Sequence, residues 1–265
     1  MDSMISVQNV SKAFGGLLAI NQCSFDIAAG SITGLIGPNG AGKTTLFSMI
    51  VGALKPDSGK ILLAGENITG RPTHSLFHQG LVRTFQIPQE FSRMTVRENL
   101  MMVPPNQLGE SLPLAWMAWR KVCAQEETIR RKADDVLDFL QMTEVADEMA
   151  GNLSGGQKKL LELGRTMMTE ARMVLLDEPG AGVNRTLLAK LADAIRRLNR
   201  ERGYTFCVIE HDMDLITTLC DPVIVMAQGR VLAQGHMDEI RANKEVREAY
   251  LGGQAAPASA EGSAS

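Results

Sequence analysis

The stretch GPNGAGKT, Gly37–Thr44, decides the fold of this chain. It fits the pattern G-x-x-x-x-G-K-[ST], whose glycines let backbone N–H groups curl around phosphate groups. An apolar strand pattern, SITGLIG, runs into it, and a helical pattern, KTTLFSMIVGAL, begins inside it. Because a helix N-terminus that follows a strand and a glycine loop attracts phosphate, we predict a nucleotide site here. Lys43 is expected to reach the β- and γ-phosphates, and Thr44 is expected to be a ligand of Mg²⁺.

Acidic residues follow a second apolar strand pattern, MVLLDEP. Asp177 ends this strand and is expected to hold the water shell of the magnesium ion. Glu178 is expected on the other side of the extended chain, where a second carboxylate suits a general base that orients the attacking water. His211 ends the next strand pattern, YTFCVIEHD, so we expect it at the same sheet edge, in position to donate to the γ-phosphate.

A second helix start suited to an anion lies in LSGGQKKLLELGR, Leu153–Arg165. Its serine and two glycines stand directly before a helix-favouring run, so free backbone N–H groups and the positive end of the helix dipole face outward. One nucleotide per core leaves this helix start without a ligand. Two such domains packed head to tail would provide one, because the helix start of each could close over the γ-phosphate held by the other. ATP binding would then drive closure, and hydrolysis would drive opening.

The remaining patterns predict a parallel core with an insertion. Strand patterns occur up to GLVRTFQ and again from MVLLDEP onward, and a long helical run separates them. This order predicts an α/β core formed by residues 1–94 and 170–252, with a helical subdomain, residues 95–169, inserted into it. The segments MISVQNV and CSFDIAAG are expected as short strands of an antiparallel edge. Residues 253–265 are small and polar, which predicts a disordered tail.

Composition narrows the classes of partner. The formal net charge of −3 argues against nucleic acid as a partner, because nucleic acid favours a basic face. The four cysteines are scattered without a C-x-x-C pair, as expected of buried, reduced thiols in the cytosol. The sequence has no uninterrupted apolar run near the roughly 20 residues of a membrane helix, so any membrane role is expected to act through a partner.

The stretch LAWMAW, with Trp116 and Trp119, is expected to pack inside the helical subdomain, and contact with a membrane or a partner is the alternative.

Five motifs together resemble the ATPase subunits of ABC transporters. They are GPNGAGKT, FQ at Phe85–Gln86, LSGGQ, LLDEP and His211, in the order and spacing of that family. The resemblance covers roughly residues 4–251. It implies a P-loop NTPase (RecA-like) α/β core with an antiparallel β edge and an inserted helical subdomain, and it implies ATP and Mg²⁺ as ligands.

The resemblance also implies roles for individual residues. LSGGQ would act in trans on the ATP of a partner cassette, Gln86 would touch the metal or its water and report to the membrane subunit, and the ring of Phe14 would stack on adenine. The residues expected to bind nucleotide are Phe14, Gly37, Pro38, Asn39, Gly40, Ala41, Gly42, Lys43, Thr44, Thr45, Ser154, Gly155, Gly156 and Gln157. The expected catalytic residues are Lys43, Gln86, Glu178 and His211, and the expected metal ligands are Thr44, Gln86 and Asp177.

Two positions depart from the family pattern. Phe14 stands where tyrosine is common, and stacking survives because it needs only the ring. Asn184, in PGAGVN, stands where an aspartate usually closes the segment, so no role in communication between subunits is assigned to it.

Within the family, FGGLLAI, GLVRTFQ, MTVRENL and AGVN resemble the branched-chain amino-acid importer ATPases. That resemblance implies uptake of branched-chain or other hydrophobic amino acids, with two polytopic membrane permease subunits and a second ABC ATPase subunit, which is a paralogue or a second copy. It also implies an indirect link to a periplasmic solute-binding protein and a peripheral location at the cytoplasmic face of the inner (plasma) membrane. A soluble ABC ATPase of the cluster-assembly type and a lipid or lipopolysaccharide exporter ATPase are the alternatives.

Overall fold

The computed structural model describes most of the chain, namely residues 2–84, 90–110 and 112–252, with 113–115, 251 and 252 described by their backbone alone. Phe85 and Gln86 therefore lie outside the described residues, and so does the expected tail, residues 253–265.

In the described residues the strands form two β-sheets. The strands are β1 Ser3–Phe14, β2 Leu17–Ala28, β3 Ile32–Ile36, β4 Ser58–Leu63, β5 Glu66–Asn67, β6 Leu81–Arg83, β7 Met173–Asp177, β8 Thr205–Ile209, β9 Val223–Ala227 and β10 Arg230–Gly235. The smaller sheet has the order β2-β1-β4-β5, and the larger sheet has the order β10-β9-β3-β8-β7-β6. The antiparallel strands predicted at the start of the chain thus belong to a sheet of their own.

The helices cover the larger sheet and form the insertion. They are α1 Lys43–Ile50, α2 Thr73–His78, α3 Val96–Met101, α4 Leu112–Met117, α5 Trp119–Phe139, α6 Gly155–Met167, α7 Arg185–Arg202, α8 Met213–Leu219, α9 Met237–Ala242 and α10 Lys244–Gly252. Helices α3 to α6 follow one another between the neighbouring strands β6 and β7, so a helical insertion interrupts the parallel sheet as expected.

The larger sheet is the centre of the molecule because its middle strands are buried on both faces. Every residue of β3, β7, β8 and β9 is buried. β3 pairs in parallel with β8 and β9, and β7 pairs in parallel with β6 and β8. Leu175 packs in a cluster with α1 and the smaller sheet, whereas Leu176 packs in a cluster with α5, α6 and α7. Continuous apolar strands are typical of parallel sheets covered on both sides.

The hairpin of β1 and β2 is longer than the short strands we expected. Each strand extends over 12 residues, and the pairing continues to Phe14↔Leu17. Gly15 has φ of +58° in the turn between them, a conformation that glycine adopts without strain. The apolar face of this sheet packs against α1, where Ile5 and Phe47 share one cluster. The long hairpin therefore brings Phe14 to the end of the sheet.

The two tryptophans lie on the surface, so the expectation that they pack inside the helical subdomain is wrong. Trp116 is 90% exposed and Trp119 is 63% exposed. The first buried residue of α5 is Ile129, and from there on α5 contributes to the apolar cluster that also holds Val96 of α3 and Leu160 of α6. α4 and the first turns of α5 extend beyond that cluster, so the tryptophans have no buried apolar residues of the cluster to pack against.

The described residues form an α/β structure that combines a mainly parallel sheet, a separate antiparallel sheet and a helical insertion. Among the helices of the described residues, none has the length and apolar character needed to cross a lipid bilayer.

Candidate nucleotide-binding site

The glycine loop joins β3 to α1 and is held tightly against the β2 strand. Gly42 has φ of +99° and immediately precedes Lys43, the first residue of α1. A Cβ atom at Gly42 would lie 2.5 Å from Ile20 Cδ1 and 2.7 Å from the Ala19 carbonyl oxygen. Only glycine fits this position, because both the backbone conformation and the space exclude a side chain. The loop can therefore present its N–H groups to a ligand at close range.

The ammonium group of Lys43 is buried under the same loop. Lys43 Nζ donates to the Gly37 carbonyl oxygen at 2.7 Å and to the Pro38 carbonyl oxygen at 3.1 Å. Burial lowers the pKa of Lys43, although the charges of Glu178 and Asp177 oppose this shift. A desolvated ammonium beside a glycine loop is suited to bind a phosphate group, whose negative charge would compensate for the lost hydration.

Asp177 is paired with an arginine that sequence reasoning missed. Arg83 Nη2 donates to Asp177 Oδ2 at 2.7 Å, and Arg83 Nη1 donates to Ser48 Oγ at 3.0 Å. Arg83 stands in β6, where its pairing partner in β7 is Leu175, so the arginine reaches along the sheet to the end of the neighbouring strand. The one sequence signal is a charged residue inside the apolar stretch GLVRTFQ.

Glu178 does not continue the strand, contrary to the expectation of an extended chain there. Its φ is +49°, and its N–H donates to the Ile209 carbonyl oxygen at 2.9 Å. The chain therefore turns at Glu178 directly after β7. This turn brings Glu178 Oε1 to 3.1 Å from His211 Nε2. The expectation that His211 lies near the acidic residues at this sheet edge agrees with that distance.

Glu210 supports this pair and was also missed. Its carboxylate is buried and accepts from the Gly180 N–H at 2.6 Å and from the His211 N–H at 3.0 Å. Glu210 thereby connects the turn after Glu178 to the end of β8, where His211 stands. The available signal was the carboxylate of Glu210 at the end of an apolar strand, in VIEHD. Only the neighbouring histidine was considered there.

The glycine loop, Glu178 and His211 line one cleft of about 560 Å³, whereas Arg83, Asp177 and Glu210 are not among its lining residues. The expected site residues that line it are Phe14, Asn39, Gly40, Ala41, Gly42, Lys43, Thr44, Thr45, Glu178 and His211. Further lining residues that the sequence did not indicate are Leu17, Leu18, Ala19, Gln228 and Gly229. Phe14 is half-exposed, and Lys12 Nζ lies 5.8 Å from the centre of its ring. The cleft thus combines an exposed aromatic ring at the hairpin end with a polar phosphate loop.

The LSGGQ residues lie at the start of α6 and not among the residues that line this cleft. Ser154 is the N-cap: Ser154 Oγ accepts from the Gln157 N–H at 3.4 Å, and Gln157 Oε1 accepts from the Ser154 N–H at 2.9 Å. A Cβ atom at Gly156 would lie 2.5 Å from Leu187 Cδ1, so the helix start packs closely on α7. Asn184 caps α7, because its Oδ1 accepts from the Leu187 N–H at 2.9 Å.

A groove of about 380 Å³ separates the helical insertion from the sheet. It is lined by Phe77, Val82, Arg83, Thr84, Glu90, Phe91, Val103, Glu162, Arg165, Thr166 and Thr169. Lys158 Nζ donates to Glu90 Oε1 at 2.7 Å, and the guanidinium carbon of Arg165 lies 5.6 Å from the centre of the Phe91 ring. Thr84 and Glu90 border residues 85–89, which include Gln86 and lie outside the described residues.

Comparison with protein families and curated proteins agrees with this geometry. A family model described as ABC transporter matches residues 20–181, and one described as branched-chain amino acid ATP-binding cassette transporter matches residues 230–256. A probable branched-chain amino acid transport ATP-binding protein, LivG, of Archaeoglobus fulgidus is 41% identical over 95% of this chain and 96% of that protein. The high-affinity branched-chain amino acid transport ATP-binding protein LivG of Escherichia coli is 39% identical over 94% of this chain and 98% of that protein.

Solved structures share the fold over nearly the whole chain. A nucleotide-free ATP-binding cassette from an ABC transporter has a TM-score of 0.80 at 36% identity and covers 94% of this chain and 98% of its own. The ADP conformation of an ATP-binding cassette of an ABC transporter has a TM-score of 0.81 at 36% identity and covers 95% of this chain and 100% of its own. These likenesses confirm the predicted P-loop α/β core with an antiparallel edge and a helical insertion. The chain belongs to the ABC transporter family, in which it is an ATP-binding cassette with the fold of an ABC ATPase.

Proposed function

We propose that this chain is the ATP-hydrolysing subunit of an ABC importer for branched-chain or other hydrophobic amino acids. The observation that carries the proposal is the match of residues 230–256 to the branched-chain amino acid cassette model. The described part of this range, up to residue 252, forms β10, α9 and α10, and the range contains none of the expected nucleotide-site residues. ATP chemistry alone therefore does not account for that match, whereas membership of the transport subgroup does. The names of the LivG relatives support the same subgroup.

ATP occupies the cleft between the hairpin and the glycine loop in this proposal. The exposed ring of Phe14 provides a stacking face for adenine at one end of the cleft. The N–H groups of the loop and the ammonium group of Lys43 receive the phosphates at the other end. The cleft volume of about 560 Å³ lies within the usual range for ligand sites.

The residues present fit a magnesium ion. Thr44 is exposed and lines the cleft, and Asp177 provides a buried carboxylate at the end of β7, so both offer the oxygen donors that Mg²⁺ prefers. Gln86 is the third proposed ligand. When bound, the ion would neutralise charge on the transferring phosphate. Arg83 holds the Asp177 carboxylate in place through the 2.7 Å hydrogen bond.

Glu178 acts as the general base and His211 positions it; this role replaces the donation to the γ-phosphate expected from the sequence, because His211 Nε2 lies next to Glu178 Oε1. A water oxygen bonds to the γ-phosphorus, the bond from that phosphorus to the departing ADP oxygen breaks, and a proton of the water passes to Glu178. With Nε2 protonated, His211 donates to Glu178 Oε1 across 3.1 Å and fixes the carboxylate. Glu210 in turn fixes the backbone of His211 and of Gly180.

The active unit is a dimer of cassettes in this proposal. Ser154–Gln157 do not line the cleft of their own chain, so their helix start is available to a nucleotide held by a partner cassette. A site completed by both subunits couples ATP binding to closure of the dimer. The partner is a second copy or a related cassette.

The proposed complex contains two polytopic permease subunits. Each cassette receives a permease subunit in the groove beside its residues 85–89. The lining of the groove includes the apolar residues Phe77, Val82 and Val103, which suits a short helix of a membrane subunit. Gln86 is proposed to report the state of the nucleotide to the permease. The chain accordingly sits peripherally on the cytoplasmic face of the inner membrane, and a periplasmic solute-binding protein feeds the complex from the other side.

A pull-down from detergent-solubilised native membranes tests this function. The bait is the Glu178→Gln variant with MgATP, which should hold the closed dimer, and the control bait is the Lys43→Ala variant. Recovery of two polytopic membrane proteins with a second cassette, only with Glu178→Gln, is the expected result. Recovery of soluble proteins alone would instead favour an ATPase of the cluster-assembly type. Recovery of the membrane subunits of a lipid or lipopolysaccharide exporter would assign the chain to that exporter and not to an importer.

A further inference from the structure

A group of large apolar side chains lies outside both the nucleotide cleft and the groove. Leu112, Trp116, Met117 and Trp119 are 85%, 90%, 85% and 63% exposed. We call these four residues the tryptophan patch. Phe14 lines the cleft and Phe91 lines the groove, so these two exposed aromatic rings have a use in the proposed function. The tryptophan patch lines neither the cleft nor the groove and has no use in the proposed function.

The segment that precedes the tryptophan patch is hydrogen-bonded to α5. Gln125 Oε1 accepts from the Leu108 N–H at 2.7 Å, and Gln125 Nε2 donates to the Asn106 carbonyl oxygen at 3.2 Å. These bonds tie the segment before α4 to the body of α5. Leu112 and Trp116 are four residues apart and therefore share one face of α4.

Positive charge adjoins the tryptophan patch in a chain that is acidic as a whole. Arg120 and Lys121 follow Trp119 directly and are both exposed. The charged residues within four positions of the patch are Glu110, Arg120 and Lys121, and the exposed Glu126 and Glu127 lie further along α5, so the positive charge is local to the two residues that follow Trp119. Exposed tryptophan beside lysine and arginine is the combination that favours the interfacial region of a bilayer.

We infer that the tryptophan patch binds directly to the surface of an anionic lipid bilayer. Indole rings combine an apolar body with an N–H donor and settle among lipid headgroups. Arg120 and Lys121 are attracted by the negative surface potential of such a bilayer. Tryptophan, methionine and arginine are enriched at protein interfaces as well, whereas lysine is depleted at their centre, so Lys121 is the residue that favours lipid over a protein partner. This contact is independent of the permease docking proposed above and would add a second attachment to the membrane.

The intrinsic fluorescence of the full chain tests the inference, because Trp116 and Trp119 are the two tryptophans of the sequence. Vesicles of equal parts phosphatidylglycerol and phosphatidylcholine should shift the emission to shorter wavelength, and brominated lipids in those vesicles should quench it. Vesicles of phosphatidylcholine alone should bind more weakly. Unchanged emission together with absence of the protein from sedimented anionic vesicles would overturn the inference.

A charge-removal pair adds a matched comparison. Arg120→Gln with Lys121→Gln should weaken binding to the anionic vesicles by about thirtyfold, since each cation near such a surface contributes about fivefold. Lys60→Gln with Arg200→Gln removes the same charge from exposed positions on β4 and α7, and its binding should stay at the wild-type level. Equal weakening by both pairs would mean unspecific attraction and refute a site at the tryptophan patch. A concentration-dependent blue shift without lipid would assign the patch to a second copy of the chain instead.

Discussion

His211 Nε2 lies 3.1 Å from Glu178 Oε1, although the two residues are far apart in the sequence. The turn at Glu178, with φ of +49°, and the buried Glu210 carboxylate together set this distance. A left-handed backbone at a non-glycine residue is strained and persists where the surroundings enforce it, which is common at functional sites. The geometry therefore makes Glu178 the first residue to test.

Glu178→Gln should leave ATP binding intact and reduce ATP turnover. The amide keeps the shape of the side chain but cannot take up the proton of the attacking water, and such proton transfer contributes about 10²- to 10⁴-fold to a rate. Phosphate release measures the turnover, and binding of a fluorescent ATP analogue measures the affinity. Asp214→Asn is the matched control, because it removes an exposed carboxylate from the first turn of α8, outside the residues that line the cleft. Wild-type turnover in Glu178→Gln would mean that another residue orients the water.

Ser154→Arg should abolish ATP turnover without weakening nucleotide binding to the monomer. The reason is that Ser154 does not line the cleft of its own chain, so an arginine there obstructs only the ATP of the partner cassette. Thr95→Arg is the matched control: Thr95 caps α3 with the same capping box, so both variants lose a cap worth roughly 1 kcal/mol. Turnover that falls equally in both variants would attribute the effect to lost helix stability. Weakened monomer binding in Ser154→Arg would contradict the action in trans.

Sequence reasoning placed Lys43 at the start of a helix after a glycine loop and Asp177 at the end of a buried strand, where the structure has them, because each position leaves a local pattern. Their roles with the nucleotide and the metal remain proposals. Arg83 and Glu210 were missed because their roles depend on partners in other strands, which a local pattern does not contain. The tryptophans were misplaced for a related reason: whether an apolar stretch is buried depends on where the packed part of its helix begins, and in α5 that is Ile129.

Arg83 and Asp177 should behave as a coupled pair when stability is measured. Their side chains are 16% and 6% exposed, so removing one partner leaves the other charge buried and costs about 3–5 kcal/mol. Arg83→Gln and Asp177→Asn should each lower the free energy of unfolding, and the double variant should lose clearly less than the sum of the two. Urea unfolding of the four proteins, followed by circular dichroism, completes this cycle. Strict additivity would show that the 2.7 Å contact makes no net contribution.

Lys43→Ala should abolish ATP turnover, because it removes the positive charge that faces the transferring phosphate. Near-normal phosphate release in this variant would refute the assignment of the loop. The same variant also gives a reference for the pH dependence of stability, since it lacks the titrating group at Lys43.

Without nucleotide, the stability of the wild type relative to Lys43→Ala should rise with pH on the alkaline side. Burial lowers the pKa of Lys43 below its ordinary value of 10.5, although the charges of Glu178 and Asp177 oppose the shift. Between the lowered folded pKa and 10.5, the unfolded chain holds more protons at this residue than the folded chain does, so raising the pH favours folding. Below the folded pKa the lysine is charged in both states, and the relative stability should be constant and lowest. Urea unfolding of both proteins across this range measures the difference, and a difference that falls as the pH rises would mean that the carboxylates outweigh the burial.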